Sequence, residues 1–424
     1  MKNFFNKIFS GSKNLHSFKN NIKELTLITP VKTIFKAINS YSDESEIRYV
    51  GGCLRKILNN EKVDDIDLAT NLDPSEVSEI LKKNNINFYE SGIEHGTITA
   101  IIDDHKFEIT TLREDIFTDG RHAKVKFSKD WKKDASRRDF TINSLYADLN
   151  GNLFDPYNGK KDIEMGQVSF IGDAEKRIKE DYLRILRYLR FYLNYSKQPH
   201  KEEIIKTIKI NISGISIISK DRLLDELKKL LKSNQLEKLS KDKFSVDLLL
   251  IIFPELKNIK SVINAIKDKN KLFVEFDFIF ILLLMVIDET DNLEYFLYKY
   301  NISKKDQKRA YAINNFYNEK NVSKTLNESS LNKVLYYDGK QAVIDILNFK
   351  IIKTNKADKK LLILLEFYRN KTPPSLPIRA DLLMTRYKIP EGRKLGSMLK
   401  LIEKEWVRNN FKISDKQIDN IVKG

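Results

Sequence analysis

The hydrophobic pattern of this chain changes once, near residue 173, and this change limits the fold more than any other feature. Before it, short β-branched runs alternate with helical segments; "TITAIIDDHKFEITTL" has two such runs around Asp103 and Asp104, which is typical of a β-hairpin. From Ala174 onward, apolar residues recur at helical spacing beneath lysine-rich faces. The pattern predicts an α+β fold whose β-containing part precedes an all-α part.

Composition limits the class of partner without fixing it. With 424 residues, of which 41% are hydrophobic, the chain is long enough for two to four packed units. A formal net charge of +16 favours a polyanionic partner such as nucleic acid or an anionic membrane surface. The abundant Lys, Asn and Ile would also follow from an AT-rich genome, so charge alone leaves the partner open.

Several classes of protein are disfavoured by the residues the chain lacks. Its single cysteine, Cys53, excludes a disulfide framework and a cysteine-built zinc site, and its five histidines are scattered. We therefore expect no zinc, and any metal must be held by carboxylates. The longest apolar run, 278–287, is too short to cross a bilayer and predicts a buried helix rather than a membrane anchor. The basic, acid-free N-terminus is interpreted as a frayed end, with an organellar leader as the alternative.

The stretch "RYVGGCLRKILNNEKVDDIDLAT", residues 48–70, combines a glycine pair with two aspartates. Gly51 and Gly52 permit a tight turn between a predicted strand and a helix whose first N–H groups suit a phosphate. In a strand, Asp65 and Asp67 would project from the same face. Two carboxylates so placed favour a divalent cation such as Mg²⁺, although a solvated acidic loop is the alternative.

Two arginine-rich segments follow. In "ASRRDFTINSLYAD", residues 135–148, arginines and an asparagine offer donors for phosphate, or alternatively a salt-bridged helix start with an aspartate in its first turn. In "KEDYLRILRYLRFYLNY", residues 179–195, Glu180, Asp181 and Arg184 are predicted to share one helix face, which Arg187 and Arg190 continue. A salt-bridge ladder is one explanation; an acceptor beside guanidinium donors that reads a base edge is the other.

As an ordered set, these motifs resemble the class II tRNA nucleotidyltransferases and bacterial poly(A) polymerases of the polymerase-β superfamily. The resemblance spans residues 49–191, and "DLLMTRYKIPEGRKLGSMLKLIEKEW", 381–406, is similar to the tail of the CCA-adding members. It implies a polymerase-β-like head with a mixed β-sheet, followed by an all-α neck, body and tail. The predicted boundaries are an N-terminal segment 1–45, head 46–172, neck 173–235, body 236–370 and tail 371–424.

The resemblance also implies roles for individual residues. Asp65 and Asp67 would hold two Mg²⁺ ions, with Glu108 as a candidate third carboxylate. The nucleotide-binding set would comprise Gly51, Gly52, Arg55, Arg137, Arg138, Asp139 and Asn143 for phosphates and ribose, with Asp181 and Arg184, supported by Arg187, for the base. The family's flexible loop corresponds to 113–122, with Asp119 and Arg121 as its charged positions. One departure is Lys56, where the family usually has Asp, which leaves the support of Arg55 open.

Three functions remain at this stage. The favoured one is addition of C, C and A to the 3′ end of tRNA from CTP and ATP, with the acceptor arm held through its backbone. A poly(A) polymerase would use the same metal chemistry, and a non-catalytic RNA-binding protein would use only the charge. An auxiliary His-Asp phosphohydrolase domain is disfavoured by the scarcity of histidine. We expect a bacterial cytoplasmic location, with a mitochondrial one as the alternative.

Overall fold

The computed structural model describes residues 15–118, 123–233, 235–268, 276–318, 326–353 and 359–423. The chain divides into two compact units, Met1–Gln235 and Leu236–Gly424. Strands occur in the first unit, and the described part of the second is helical, so the predicted α+β class is confirmed. The finer division into five segments stays a prediction.

A seven-stranded mixed sheet organises the first unit, in the order β3-β4-β5-β2-β1-β8-β9. Parallel pairing joins β2 to β5, and the other neighbours are antiparallel. Asp103, at φ +52°, forms the turn of the predicted hairpin between β4 and β5. The strands of this sheet are β1 Ile47–Val50, β2 Ile66–Thr70, β3 Asn87–Gly92, β4 Thr97–Ile102, β5 His105–Thr111, β8 Tyr146–Ala147 and β9 Leu153–Phe154, and a separate hairpin pairs β6 Arg113–Thr118 with β7 Ala123–Phe127.

Helices of the first unit cover the sheet and continue beyond it. Helix α8 buries the apolar stripe that its sequence predicts, including Ile185, Leu186 and Leu189. Helix α4 begins with Pro74, directly after its N-cap Asp73. Asp73 and Glu76 form a capping box, which fixes where that helix begins. The helices are α1 Leu15–Ile28, α2 Val31–Asn39, α3 Gly52–Leu58, α4 Pro74–Lys83, α5 Trp131–Ser136, α6 Gly159–Met165, α7 Ala174–Glu180, α8 Leu183–Tyr195, α9 Glu202–Asn211 and α10 Lys220–Leu231.

The second unit contains helices of eight to sixteen residues over its described part. The helix Phe278–Val286 is almost entirely buried, as its apolar run predicts. No helix in the described ranges is long and apolar enough to span a membrane. The remaining helices are Lys243–Ile252, Ile259–Asp268, Asn292–Lys299, Lys304–Asn318, Glu328–Tyr337, Lys340–Lys353, Lys359–Asn370, Ala380–Tyr387, Arg393–Arg408 and Asp415–Lys423.

Candidate active site

The glycine pair forms the turn between β1 and α3. Gly51 has φ +66°, in the left-handed region that favours glycine, and its N–H donates to the carbonyl of Leu145 at 3.0 Å. A Cβ at Gly51 would lie 3.4 Å from Nη1 of Arg138, and a Cβ at Gly52 would lie 3.7 Å from Oδ2 of Asp67. The turn therefore brings the first residue of α3 beside the carboxylate that the sequence singles out.

The candidate carboxylates lie where β2 and β5 run side by side. Asp67 is half-buried and is in register with Glu108 on the parallel neighbour, while Asp65 directly precedes β2 and is exposed, as is Glu108. Burial raises the pKa of Asp67, and the negative charges of Glu108 and Asp65 raise it further, against the lowering effect of Arg138 and Arg55. Like charges crowded in this way favour a cation.

Magnesium in such sites takes one or two carboxylates together with substrate phosphates. The donor chemistry of Asp65 and Asp67 fits that requirement. Over the described ranges, no group of three or more His, Cys, Asp or Glu side chains is arranged to hold a metal ion. The residues present thus fit a two-carboxylate site, and the role of Glu108 as a third carboxylate stays a prediction.

Asp134, which the sequence analysis did not single out, organises the first arginine pair. It is 1% exposed, and it accepts hydrogen bonds from Nε of Arg137 at 2.8 Å, Nη2 of Arg138 at 3.1 Å and the hydroxyl of Tyr146 at 2.6 Å. Burial alone would raise the pKa of Asp134, but the two guanidinium groups outweigh it and hold that pKa far below its usual range. The alternative of a salt-bridged helix start with Asp139 in its first turn is wrong, because α5 places Asp134 one turn before both arginines.

Asp139 instead joins the head to α8. Its carboxylate accepts from Nε of Arg187 at 2.8 Å, from Nδ2 of Asn143 at 2.8 Å and from the backbone N–H of Phe140 at 2.9 Å. Burial opposes ionisation, yet the Arg187 charge and these hydrogen bonds lower the pKa of Asp139 to about 2. The residue is therefore held as a carboxylate at neutral pH.

Arg55 extends this network. Its contacts show how its side chain is held although the aspartate usual in the family is absent. It donates through Nη1 to the side-chain oxygen of Asn143, and its guanidinium lies 4.9 Å from the ring centroid of Phe191 and 5.0 Å from that of Tyr195. Lys56 forms a salt bridge with Asp64 at 3.1 Å. The neighbouring side chain therefore does not orient Arg55; an amide and two rings do.

The predicted shared helix face of Glu180, Asp181 and Arg184 is wrong. Helix α7 ends at Glu180, Asp181 adopts an extended conformation with φ −156° and ψ 104°, and α8 begins only at Leu183. Arg184 still reaches Glu180 at 2.7 Å across this break. Asp181 turns to α10, where its Oδ2 accepts from Nη2 of Arg222 at 2.7 Å. The spacing of these residues in the sequence did not predict the pairing of Asp181 with Arg222, because helical periodicity applies only within an unbroken helix.

Many of these groups line one cavity of about 570 Å³. Eight arginines and two carboxylates, Asp139 and Asp181, are among the side chains that line it. All the residues predicted to bind the nucleotide are part of the lining, whereas Asp65, Asp67 and Glu108 are not; Asp67 lies next to it at Gly52. The lining residues are Gly51, Gly52, Arg55, Arg113, Arg137, Arg138, Asp139, Asn143, Asp181, Leu183, Arg184, Arg187, Arg190, Phe191 and Arg222.

Three cavity arginines had no predicted binding role: Arg113, Arg190 and Arg222. Arg190 was visible only as part of the α8 stripe. For Arg222, the one available signal is its spacing of four residues from Glu226, an ordinary pattern on helices. The loop positions Asp119 and Arg121 lie outside the described residues.

The first unit thus combines a mixed sheet, which carries Asp67, with an arginine-lined cavity and further helices. Residues 47–169 match the family model "Poly A polymerase head domain", and residues 201–260 match "Probable RNA and SrmB- binding site of polymerase A". These matches assign residues 47–169 to the poly(A) polymerase head model and residues 201–260 to the RNA-binding model.

Curated relatives agree with this assignment. The chain is 46% identical over 200 residues to the human "CCA tRNA nucleotidyltransferase 1, mitochondrial", covering 46% of each protein. It is 36% identical over 215 residues to the CCA-adding enzyme of Lactobacillus johnsonii, covering 50% of this chain and 51% of that protein. The chain thus spans about half the length of these two relatives. A CCA-adding enzyme of Streptococcus uberis is 29% identical over 376 residues, or 86% of this chain and 89% of its own.

Solved structures show the same fold. The CCA-adding enzyme of Bacillus stearothermophilus, in complex with CTP, aligns with a TM-score of 0.68 at 20% identity, over 93% of this chain and 97% of its own. The Thermotoga maritima CCA-adding enzyme complexed with tRNA aligns with a TM-score of 0.55 at 17% identity, over 94% and 95% of the two chains. At these identities the likeness establishes the fold alone.

Proposed function

We propose that this chain is a tRNA nucleotidyltransferase that adds C, C and A to the 3′ end of tRNA from CTP and ATP, releasing pyrophosphate. The observation that carries the proposal is the arginine-lined cavity beside Asp67. Among the lining residues, Arg55, Arg137 and Arg138 offer donors suited to phosphates, and Asp181 and Arg184 offer an acid and a donor suited to a base. Relatives named for CCA addition support the same reading.

The cavity is cationic. Among its lining residues, eight guanidinium groups stand against two carboxylates, Asp139 and Asp181, so positive charge is in excess there. Asp134 holds Arg137 and Arg138 in fixed orientations, and Asn143 does the same for Arg55. Guanidinium groups fixed in this way offer paired donors to phosphate oxygens without having to reorganise when the nucleotide binds.

Asp65 and Asp67 are the residues that would hold Mg²⁺. Two such ions, when bound, activate an attacking hydroxyl and stabilise the leaving pyrophosphate. The protein contributes the placement of Asp67 by β2 and the close approach of Gly52, which leaves room beside the carboxylate. Beyond the effect of burial, Glu108 and Asp65 raise the pKa of Asp67, and a bound cation would relieve their repulsion.

Base choice would fall to Asp181 and Arg184 at the junction of α7 and α8. Asp181 offers acceptor oxygens, and Arg184 offers donors whose direction is set by Glu180 and the carbonyl of Arg177, each at 2.7 Å. Together they present a fixed pattern of acceptor and donor to a base edge. Protein side chains would then replace a nucleic-acid template.

The partner RNA would be held mainly through its phosphates, because the chain carries a net charge of +16. We therefore expect the dissociation constant for tRNA to rise by at least about tenfold between about 50 and 200 mM salt. An affinity that is constant over this range would contradict backbone-dominated binding. We propose a bacterial cytoplasmic location, with mitochondria as the alternative, since the relatives include both bacterial and mitochondrial proteins.

The direct test is to incubate the protein and Mg²⁺ with tRNA transcripts ending before CCA or after CC, supplying CTP, ATP or both, and to resolve products at single-nucleotide length. We expect two additions from CTP and one terminal A. Long A ladders on any RNA would instead establish a poly(A) polymerase. Asp65→Ala should abolish addition while leaving the melting temperature unchanged; full activity in that variant would remove the metal assignment, and Asp64→Ala, on the adjacent exposed residue, serves as the control.

A further inference from the structure

The carboxylate of Asp181 is held from two sides. Its Oδ2 accepts from Nη2 of Arg222 at 2.7 Å, and its Oδ1 accepts the backbone N–H of Leu183 at 3.2 Å. The side chains of Asp181 and Arg222 are 20% and 29% exposed, and both line the cavity. A charge-assisted hydrogen bond in such a partly shielded place constrains orientation more than an exposed surface pair does.

Arg222 is itself held by the helix that carries it. It lies in the first turn of α10, whose N-cap is Ser219. Glu226, four residues later on the same face and 2% exposed, forms a salt bridge with Arg190 of α8. Two side chains on one face of α10 therefore make contacts there: Glu226 contacts Arg190 of α8, and Arg222 contacts Asp181, which lies just before α8. The Glu226–Arg190 pair anchors that face, so the backbone of Arg222 is held in place beside Asp181.

The chemistry of the bases gives this arrangement a consequence. Cytosine and adenine carry an exocyclic amino donor, at N4 and N6, at the position where uracil and guanine carry a carbonyl oxygen. A carboxylate with both oxygens held by donors acts only as an acceptor. It can pair with the amino group of cytosine or adenine, whereas a carbonyl placed there would face a second acceptor without a proton between them.

We infer that Arg222 is a positioning residue that fixes Asp181 as a hydrogen-bond acceptor and thereby makes the cavity reject UTP and GTP. The inference rests on the proposed function, because it assigns to Arg222 a part in the nucleotide choice of the same site. Arg222 acts through Asp181 and needs no contact with the nucleotide.

The test compares kcat/KM for CTP, ATP, UTP and GTP in the full-length protein and in Arg222→Ala. Freed from its partner, Asp181 can rotate, so we expect the preference for CTP over UTP to fall by at least about tenfold, equivalent to about 1.4 kcal/mol. Arg222→Lys retains a cationic donor and should recover most of that preference. Lys229→Ala, an exposed lysine on the same helix, is the matched control and should leave the preference within about twofold of the unaltered protein.

The effect on nucleotide selectivity distinguishes a positioning role of Arg222 from a merely structural one. If Arg222→Ala lowers kcat/KM for all four nucleotides equally, or leaves the CTP-to-UTP ratio within about twofold, the inference is overturned. Should Arg222→Ala fail to fold, as judged by its melting temperature, Arg222→Gln takes its place: a CTP-to-UTP preference lowered by at least about tenfold supports the inference, and one within about twofold of the unaltered protein overturns it.

Binding of the four nucleotides without RNA, measured by calorimetry, distinguishes this inference from the proposed function. A protein that adds C, C and A while Arg222→Ala keeps its selectivity overturns the inference alone. A protein that adds nothing to tRNA, yet binds CTP and ATP with a preference that Arg222→Ala loses, overturns the proposed function alone. A protein that adds nothing to tRNA and binds all four nucleotides equally, or none, overturns both.

Discussion

Replacing Asp139 by asparagine tests the network that joins the head to α8. The substitution preserves shape, removes the negative charge and leaves Arg187 facing a neutral amide. Arg187 donates to Asp139 through Nε at 2.8 Å, and Asp139 is 8% exposed, so the lost interaction is largely shielded from water. We expect the first unit to be clearly less stable in this variant.

Two independent routes give the magnitude. The fall in the pKa of Asp139 from its ordinary 3.8 to about 2 corresponds to about 2 kcal/mol of stabilisation at neutral pH. Breaking a buried ion pair typically costs about 3–5 kcal/mol. Because Arg187 is 31% exposed, we expect the cost for this pair to lie near the lower end of that range. We therefore expect Asp139→Asn to lower the free energy of unfolding by about 2–3 kcal/mol at pH 7.

The pH dependence of this difference has a definite sign. A carboxyl group whose pKa is lowered by folding stabilises the folded state above its unfolded pKa, and this contribution is lost as the pH falls through the folded pKa. For Asp139 the loss should run from about pH 4 down to about pH 2. The difference in stability between the unaltered protein and Asp139→Asn should shrink over that interval.

Urea unfolding followed by tryptophan fluorescence provides the assay. The chain has two tryptophans, Trp131 in the first unit and Trp406 in the second, so a Trp406→Phe background makes the signal report on the first unit. Asp139→Asn, Arg187→Met and the double variant complete a thermodynamic cycle. The double variant should be more stable than Asp139→Asn alone, because no unpaired charge remains. An Asp139→Asn variant within about 0.5 kcal/mol of its parent would refute the reasoning.

Three further predictions concern the rest of the site. Gly51→Ala, at φ +66°, should lower stability by about 1–2 kcal/mol and weaken CTP binding, as measured by calorimetry; unchanged values would show that the turn tolerates a side chain. Glu226→Gln should cost about 3 kcal/mol in the Trp-reported unfolding assay, because Arg190 stays buried without its carboxylate; Arg190→Met added to it should recover part of the loss, and no recovery would refute the charge argument. Lys56→Asp, which restores the residue usual in the family, should change the KM for CTP by less than about twofold, since Arg55 is oriented by other groups; a large gain in affinity would show that the native lysine impairs the site.

Features that depend on neighbours in sequence were predictable. The turn at Gly51 and Gly52, the alternation around Asp67 and the hairpin at Asp103 each arise within a few residues, where backbone sterics and strand periodicity dominate. The buried helix at 278–286 was equally accessible, because so apolar a run has few other places to go. Together with the resemblance of the ordered motifs, these local rules selected many residues of the cavity, but not Arg113, Arg190 or Arg222.

Predictions that required a partner far along the chain failed or were never made. Asp181 lies 41 residues from Arg222, and Asp139 lies 48 residues from Arg187. No periodicity relates such positions. The sequence even suggested the wrong partners, since Asp181 has Arg184 three residues away and Arg137 and Arg138 are followed directly by Asp139.

The sequence by itself therefore determined the class of fold and the residues of the candidate site, because strand alternation, the glycine turn and the ordered motifs are local. Only the tertiary structure decided which acid holds which arginine. Arg137 and Arg138 turn to Asp134, Arg187 turns to Asp139, and Arg222 turns to Asp181. The physical reason is that burial makes an unpaired charge costly, so each charge pairs with whichever opposite charge the packing of helices and sheet brings within reach.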